Sequence, residues 1–198
     1  MEKCFCVDSM APNAASQIRD YLLIKLKAPI IEKRPIIFLC IGTDRSTGDS
    51  LGPLIGYKLK KSYHKNNIYI YGTLESPIHS KNLEDILVKI DKYFNNPYII
   101  AIDSCLGIVQ NIGKVFIDET PIAPGLALNK NLPPIGNLSI KGIVNISGNL
   151  DFIVLQNTRL FTVMSLADCI SSGIKSSLNK IFAENNNTDD LDNYNFLD

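Results

Sequence analysis

The run Pro35-Ile-Ile-Phe-Leu-Cys-Ile41, and the loop it feeds, Gly42-Thr-Asp-Arg-Ser-Thr-Gly-Asp-Ser-Leu-Gly-Pro-Leu54, decide the fold. The run is apolar on both alternating faces, so a strand built from it has no side for solvent. Such strands belong in parallel sheets covered by helices above and below. The loop is polar, with carboxylates at Asp44 and Asp49 and glycines at Gly42, Gly48 and Gly52. A helical pattern leaves it from Ser50 or Pro53 to Tyr63, and proline is tolerated in a first helical turn because its missing N–H would be unpaired there. In an open α/β sheet, ligands bind where strands end and helices begin. The loop is therefore the expected functional edge.

Outward from it, apolar spacing predicts a helix over 13–27, a linker over 29–34, a strand over 68–71, a loop over 72–80 and a helix over 83–94 with Asn82 as its cap. A buried strand follows over 97–102, ending at Asp103, then a strand over 114–117. Residues 120–137 form a long Pro/Gly/Asn-rich loop of the kind that is often functional. A strand over 139–146 and a helix over 158–182 complete the pattern. Residues 1–10 read as irregular, Leu150–Leu155 fits neither period, and Gly56 reads as a close-packing position against the sheet. The alternation predicts a three-layer αβα fold with a mostly parallel sheet, one domain over 1–184 with its core over about 35–183. The polar, acidic residues 185–198 read as a disordered tail.

The 198 residues carry 20 Lys plus Arg and 20 Asp plus Glu. Zero net charge gives no basis for nucleic acid or an anionic membrane as the main partner. No apolar run reaches the roughly 18 residues of a membrane span. The first residues lack a basic start followed by a long apolar stretch, so a cytoplasmic location is expected. Of five cysteines, Cys40 and Cys169 fall in apolar patterns as core residues; Cys4 and Cys6 are too close for an ordinary disulfide and complete no zinc site. No metal or cofactor is expected.

Asp49 opens the helix after the first buried strand, and Asp103 ends another. If those strands are parallel neighbours, both side chains enter one crevice. Two carboxylates a few ångströms apart share a proton, one acting as base and the other as acid. Asp49, near a helix N-terminus, is expected to be the anion, and Asp103 the proton holder. The same positions also fit an N-cap for Asp49 and a turn carboxylate for Asp103.

Thr47-Gly-Asp-Ser-Leu-Gly-Pro53, Ala101-Ile-Asp-Ser-Cys-Leu-Gly107 and Ile122-Ala-Pro-Gly-Leu-Ala-Leu-Asn129 resemble, in order, motifs of the germination protease family of spore-forming bacteria. With Gln156-Asn-Thr-Arg-Leu160, the likeness is greatest to the shorter branch of YyaC-type sporulation proteins. It runs from about 35 to about 180. It implies a phosphorylase/hydrolase-like α/β fold, shared with hydrogenase maturation endopeptidases. The family's catalytic aspartates fall on Asp49 and Asp103. Its substrates, small acid-soluble spore proteins, become candidate partners, the forespore or spore core the implied location, and self-association an expectation. Gly48, Ser50, Ser104, Pro124 and Gly125 are expected to shape the peptide cleft. The family's activation prosegment finds no match in residues 1–34, and its His before Pro-Gly is Ala123 here. Hydrogenase maturation proteases sense nickel with two carboxylates and a His; His64 and His79 lie outside the matching motifs and read as surface or turn residues.

Two further readings compete. One is a non-catalytic spore protein that binds a peptide or protein partner through the same cleft. The other is a cysteine or phosphate site, but Cys105 has no His placed to activate it, and the loop over 42–48 is neither a Walker nor a dinucleotide sequence.

Overall fold

A computed structural model describes residues 4–61, 67–122 and 134–192, with side chains to 183. The elements are β1 (Phe5–Asp8), α1 (Ala14–Ile31), β2 (Ile36–Cys40), α2 (Leu51–Lys60), β3 (Ile68–Tyr71), α3 (Leu83–Tyr93), β4 (Tyr98–Gly107), β5 (Lys114–Asp118), β6 (Leu138–Ile146), α4 (Asp151–Gln156) and α5 (Leu160–Asp192). Among the described residues they form one sheet in the order β1-β5-β6-β4-β2-β3. The β3, β2, β4 and β6 pairings are parallel. β5 pairs antiparallel with both β6 and β1 and alone runs against the other strands.

The double-faced burial read from the sequence holds. Every residue of β2 is buried. Ile36, Phe38 and Cys40 join one core with α1, α2 and α5, while Ile37, Leu39 and Ile41 join a second core with Leu83 and Ile90 of α3. Helices thus cover both faces, giving the three-layer αβα arrangement. The path β2–α2–β3 moves outward on one face, and β3–α3–β4 returns on the other. The chain therefore reverses direction between β2 and β4, the point at which open α/β sheets bind ligands.

Several expectations need correction. Residues 5–8 are an edge strand, seated by Val7 in the core and Phe5 against Tyr21, with ring centroids 4.7 Å apart. α1 continues through the expected linker to Ile31, because Pro29 extends the buried stripe of Ile18, Leu22 and Leu26 and its burial outweighs the lost N–H. Asn82 makes no side-chain cap bond to α3; its Oδ1 accepts the His79 N–H instead. Leu150–Leu155 resolves into the short helix α4. α5 starts at Leu160 and runs to Asp192, so residues 185–192 are helical rather than part of a disordered tail; after Gly173 the sequence holds no Gly or Pro to stop the helix.

Cys40 and Cys169 are buried core residues as expected. A Cβ on Gly56 would lie 1.9 Å from the Gly72 carbonyl oxygen, a backbone atom that cannot step aside. Gly56→Ala should therefore cost about 2 kcal/mol or more in urea unfolding, whereas Gly148→Ala, whose Cβ meets nothing within 4 Å, should stay within about 0.5 kcal/mol. Equal effects would contradict the close contact.

Candidate active site at the β2–β4 switch point

The site begins where β2 stops. Ile41 donates its N–H to the Ile102 carbonyl at 2.7 Å, and Gly42, at φ +142°, donates to Ile78 at 2.7 Å. The loop then folds back, with Thr43 N–H on the Asp49 carbonyl at 3.0 Å. A Cβ at Gly42 would sit 2.0 Å from that carbonyl, so the turn needs glycine there. Asp49 lies in a 3-10 turn, Gly48–Ser50, against the sheet edge. The N-cap position of α2 is Ser50, which makes no side-chain cap bond; the cap reading of Asp49 is not what the structure adopts.

Asp103 is the sixth of ten residues in β4 rather than its last. The final β2–β4 rung is Cys40↔Ile102, so Asp103 is the first β4 residue without a β2 partner. Its carboxylate accepts the Ser104 N–H at 2.8 Å. Burial pushes its pKa up to about 8; the Ser104 N–H opposes this and the Asp49 charge adds to it. Asp103 is half-buried and lines the cavity described below. Asp49 is also raised, by desolvation, with the Ser46 hydroxyl opposing. That hydroxyl falls short of full hydrogen-bond geometry and is otherwise buried without a partner. A lowering of Asp49 by the helix N-terminus was expected, whereas burial moves it upward. Asp103, with the larger upward displacement, holds its proton at neutral pH.

Both carboxylates line one cavity of about 640 Å³, within the usual range for ligand pockets. Ser104, Cys105 and Leu106 form its β4 wall, and Phe152, Leu155 and Gln156 of α4 its far wall. Gly48 and Ser50, expected on the wall, lie behind it. A Cβ on Gly48 would meet Leu155 Cδ2 at 2.7 Å, so this glycine admits α4, while Ser50 Oγ donates to the Thr47 carbonyl at 2.7 Å. Pro124, Gly125, Ala123 and His64 lie outside the described residues.

Sequence reading missed His79, which lines the cavity. A parallel bridge between Ile41 and Ile78 carries it there, and the signal was the lone apolar Ile78 in a polar loop. His79 Nδ1 accepts the Lys81 N–H at 3.3 Å, leaving Nε2 as the donor. Arg45 and Lys81 also line the cavity and make no ion pair among the described residues. Cys105 is a poor nucleophile: burial first, then Asp103, pushes its thiol up to about 12, with Lys141 opposing. Among the described residues, no three His, Cys, Asp or Glu side chains are gathered as a metal would require. No helix there is long and apolar enough to cross a membrane.

Residues 6–173 match the family described as "Protein of unknown function (DUF1256)". The chain belongs to that family. It is 46% identical to the uncharacterized protein YyaC of Bacillus subtilis (strain 168) over 161 residues, 81% of this chain and 77% of that protein. A crystal structure of the [NiFe] hydrogenase maturation protease HycI from Thermococcus kodakarensis KOD1 aligns with 76% of this DUF1256 chain and 99% of that one, at 16% identity and a TM-score of 0.48.

The Asp103 carboxyl has a consequence for stability. Below about pH 4 both folded and unfolded chains hold this proton. Between about 4 and 8 the unfolded chain releases it and the folded one keeps it, so folding stability falls as pH rises, by at most about 1.4 kcal/mol per pH unit from this group. Asp103→Asn should remove most of that fall. Urea unfolding at pH 5 and pH 8 checks this, and equal slopes in the two proteins would contradict the buried protonated carboxyl.

Proposed function

We propose that this DUF1256 protein is an aspartic-type endopeptidase acting in sporulation or spore germination, in the forespore or spore core. The observation that carries the reading is the carboxylate pair, Asp49 and Asp103, on one cavity at the switch point, with the proton on Asp103. The motif resemblance supports the biological setting.

In this reading Asp49, the more acidic partner, takes a proton from a water molecule. The water oxygen bonds to the scissile carbonyl carbon, and Asp103 gives its proton to the carbonyl oxygen, forming a neutral gem-diol. Collapse breaks the C–N bond; the proton held by Asp49 passes to the leaving nitrogen and one diol proton returns to Asp103. Burial raises both carboxyl groups, Asp103 the more, and this keeps the two unequal. His79 also lines the cavity, where its Nε2–H can donate to a substrate carbonyl.

Purified protein incubated with small acid-soluble spore proteins should yield discrete fragments by mass spectrometry. Asp49→Asn and Asp103→Asn should each slow cleavage by at least about a hundredfold while leaving the fold intact by circular dichroism. A fully active Asp103→Asn protein would falsify the dyad.

A partner-binding protein without catalysis is the second reading. The exposed Phe152 on the cavity wall, with exposed Ile153 and Phe161 elsewhere on α4 and α5, favours it, as does Ala123 where the resembling protease family has His. It is distinguished by Asp→Asn variants that retain full biological function.

A further inference from the structure

We propose that the substrate is an extended polypeptide that docks as an added parallel strand on the open edge of β4, beside Ser104 and Leu106. This deepens the peptidase reading and rests on it for the catalytic meaning of the dock.

β4 outruns β2. It pairs with β2 only to Ile102, yet continues beside β6 to Gly107↔Ile146. Beyond Ile41 the β2 chain turns toward Ile78 and leaves the place next to β4. In a parallel ladder, alternate residues direct both N–H and C=O to the same neighbour. Ile102 presents its carbonyl to Ile41, and Gly107 presents its carbonyl to Ser147 just past β6. Ser104 and Leu106 therefore face the side that β2 has left. The Asp103 carboxylate takes the Ser104 N–H. The register shift between Cys105 and Leu106 skips Val144 of β6 and adds no residue to β4, so the alternation along β4 is kept and its bonds to β6 fall to Asp103, Cys105 and Gly107. Outside that ladder, the described residues offer no backbone partner to the Ser104 carbonyl or to the N–H and carbonyl of Leu106. Both residues line the cavity that holds the carboxylate pair.

Residues 104–107 span roughly 13 Å of strand, enough to align about four peptide residues. One residue of a parallel guest donates its N–H to Ser104 and accepts from Leu106. Main-chain pairing of this kind supplies affinity while alternate side chains supply specificity. The side-chain chemistry of the guest also follows. Phe152 and Leu155 offer an apolar wall, and Arg45 and Lys81, without ion pairs among the described residues, offer cations on the rim. The guest is thus an extended segment carrying both apolar and acidic side chains, placed with a peptide bond beside Asp103.

The test uses a fluorescein-labelled octapeptide of sequence Ser-Val-Asp-Leu-Ser-Val-Asp-Leu and two isomers, N-methylated at all odd or at all even amides. Anisotropy against the full chain should show one isomer binding within about twofold of the parent and the other at least about tenfold weaker. Leu106→Pro, which removes a donor facing away from β6, should weaken the parent peptide about fivefold or more. Equal loss for both isomers, no loss for either, or no binding of the parent at 1 mM overturns the proposal. Alternating binding of a peptide that is never cut upholds the strand dock and removes the peptidase reading; cleavage without alternation does the reverse.

Discussion

The site depends on a mismatch in strand length. β2 ends one rung before Asp103, while β4 continues with β6 as its only described partner. Had β2 run on, its backbone would fill the space beside Asp103 and the sheet would close. Because it turns at Gly42, the carboxyl is left at the bottom of a cavity, shielded by protein but facing a gap. Burial in such a place disfavours charge, and a second carboxylate nearby disfavours it further. The proton on Asp103 is the local consequence of where a neighbouring strand stops.

The same constraint organises the loop between β2 and α2. To leave the sheet, the chain needs a residue at φ +142°, and to return it must bring the Asp49 backbone against Gly42. The small residues in this stretch are packing requirements. Gly42 admits Asp49, Gly48 admits α4, and Gly56 admits the turn after β3. They let the loop and helices pack closely enough to bring Asp49 to the cavity edge.

Much of this was legible in the sequence, for definite reasons. The apolar runs of β2 and β4 have no polar face, and that dictates helices on both sides; with the switch rule, it placed Asp49 and Asp103 at one edge. Less legible were features set by tertiary contact. Phe5–Asp8 is too short to show a period, and becomes a strand only because β5 offers an edge. Pro29 reads as a helix breaker, yet it is buried against the core. His79 is surrounded by turn residues, and only the long-range Ile41–Ile78 bridge carries it to the cavity. Gly48 and Ser50 were correctly placed near Asp49 in the chain, but chain proximity does not say which side of a wall a residue occupies.

The central claim is that one carboxyl of the pair keeps its proton at neutral pH. The direct measurement is a titration of the aspartate side-chain carboxyl carbons by NMR, from pH 3 to 10, with Asp103→Asn and Asp49→Asn for assignment. The account predicts one resonance with a midpoint near 8, absent from Asp103→Asn and displaced in Asp49→Asn. Every aspartate titrating below pH 5 would contradict it.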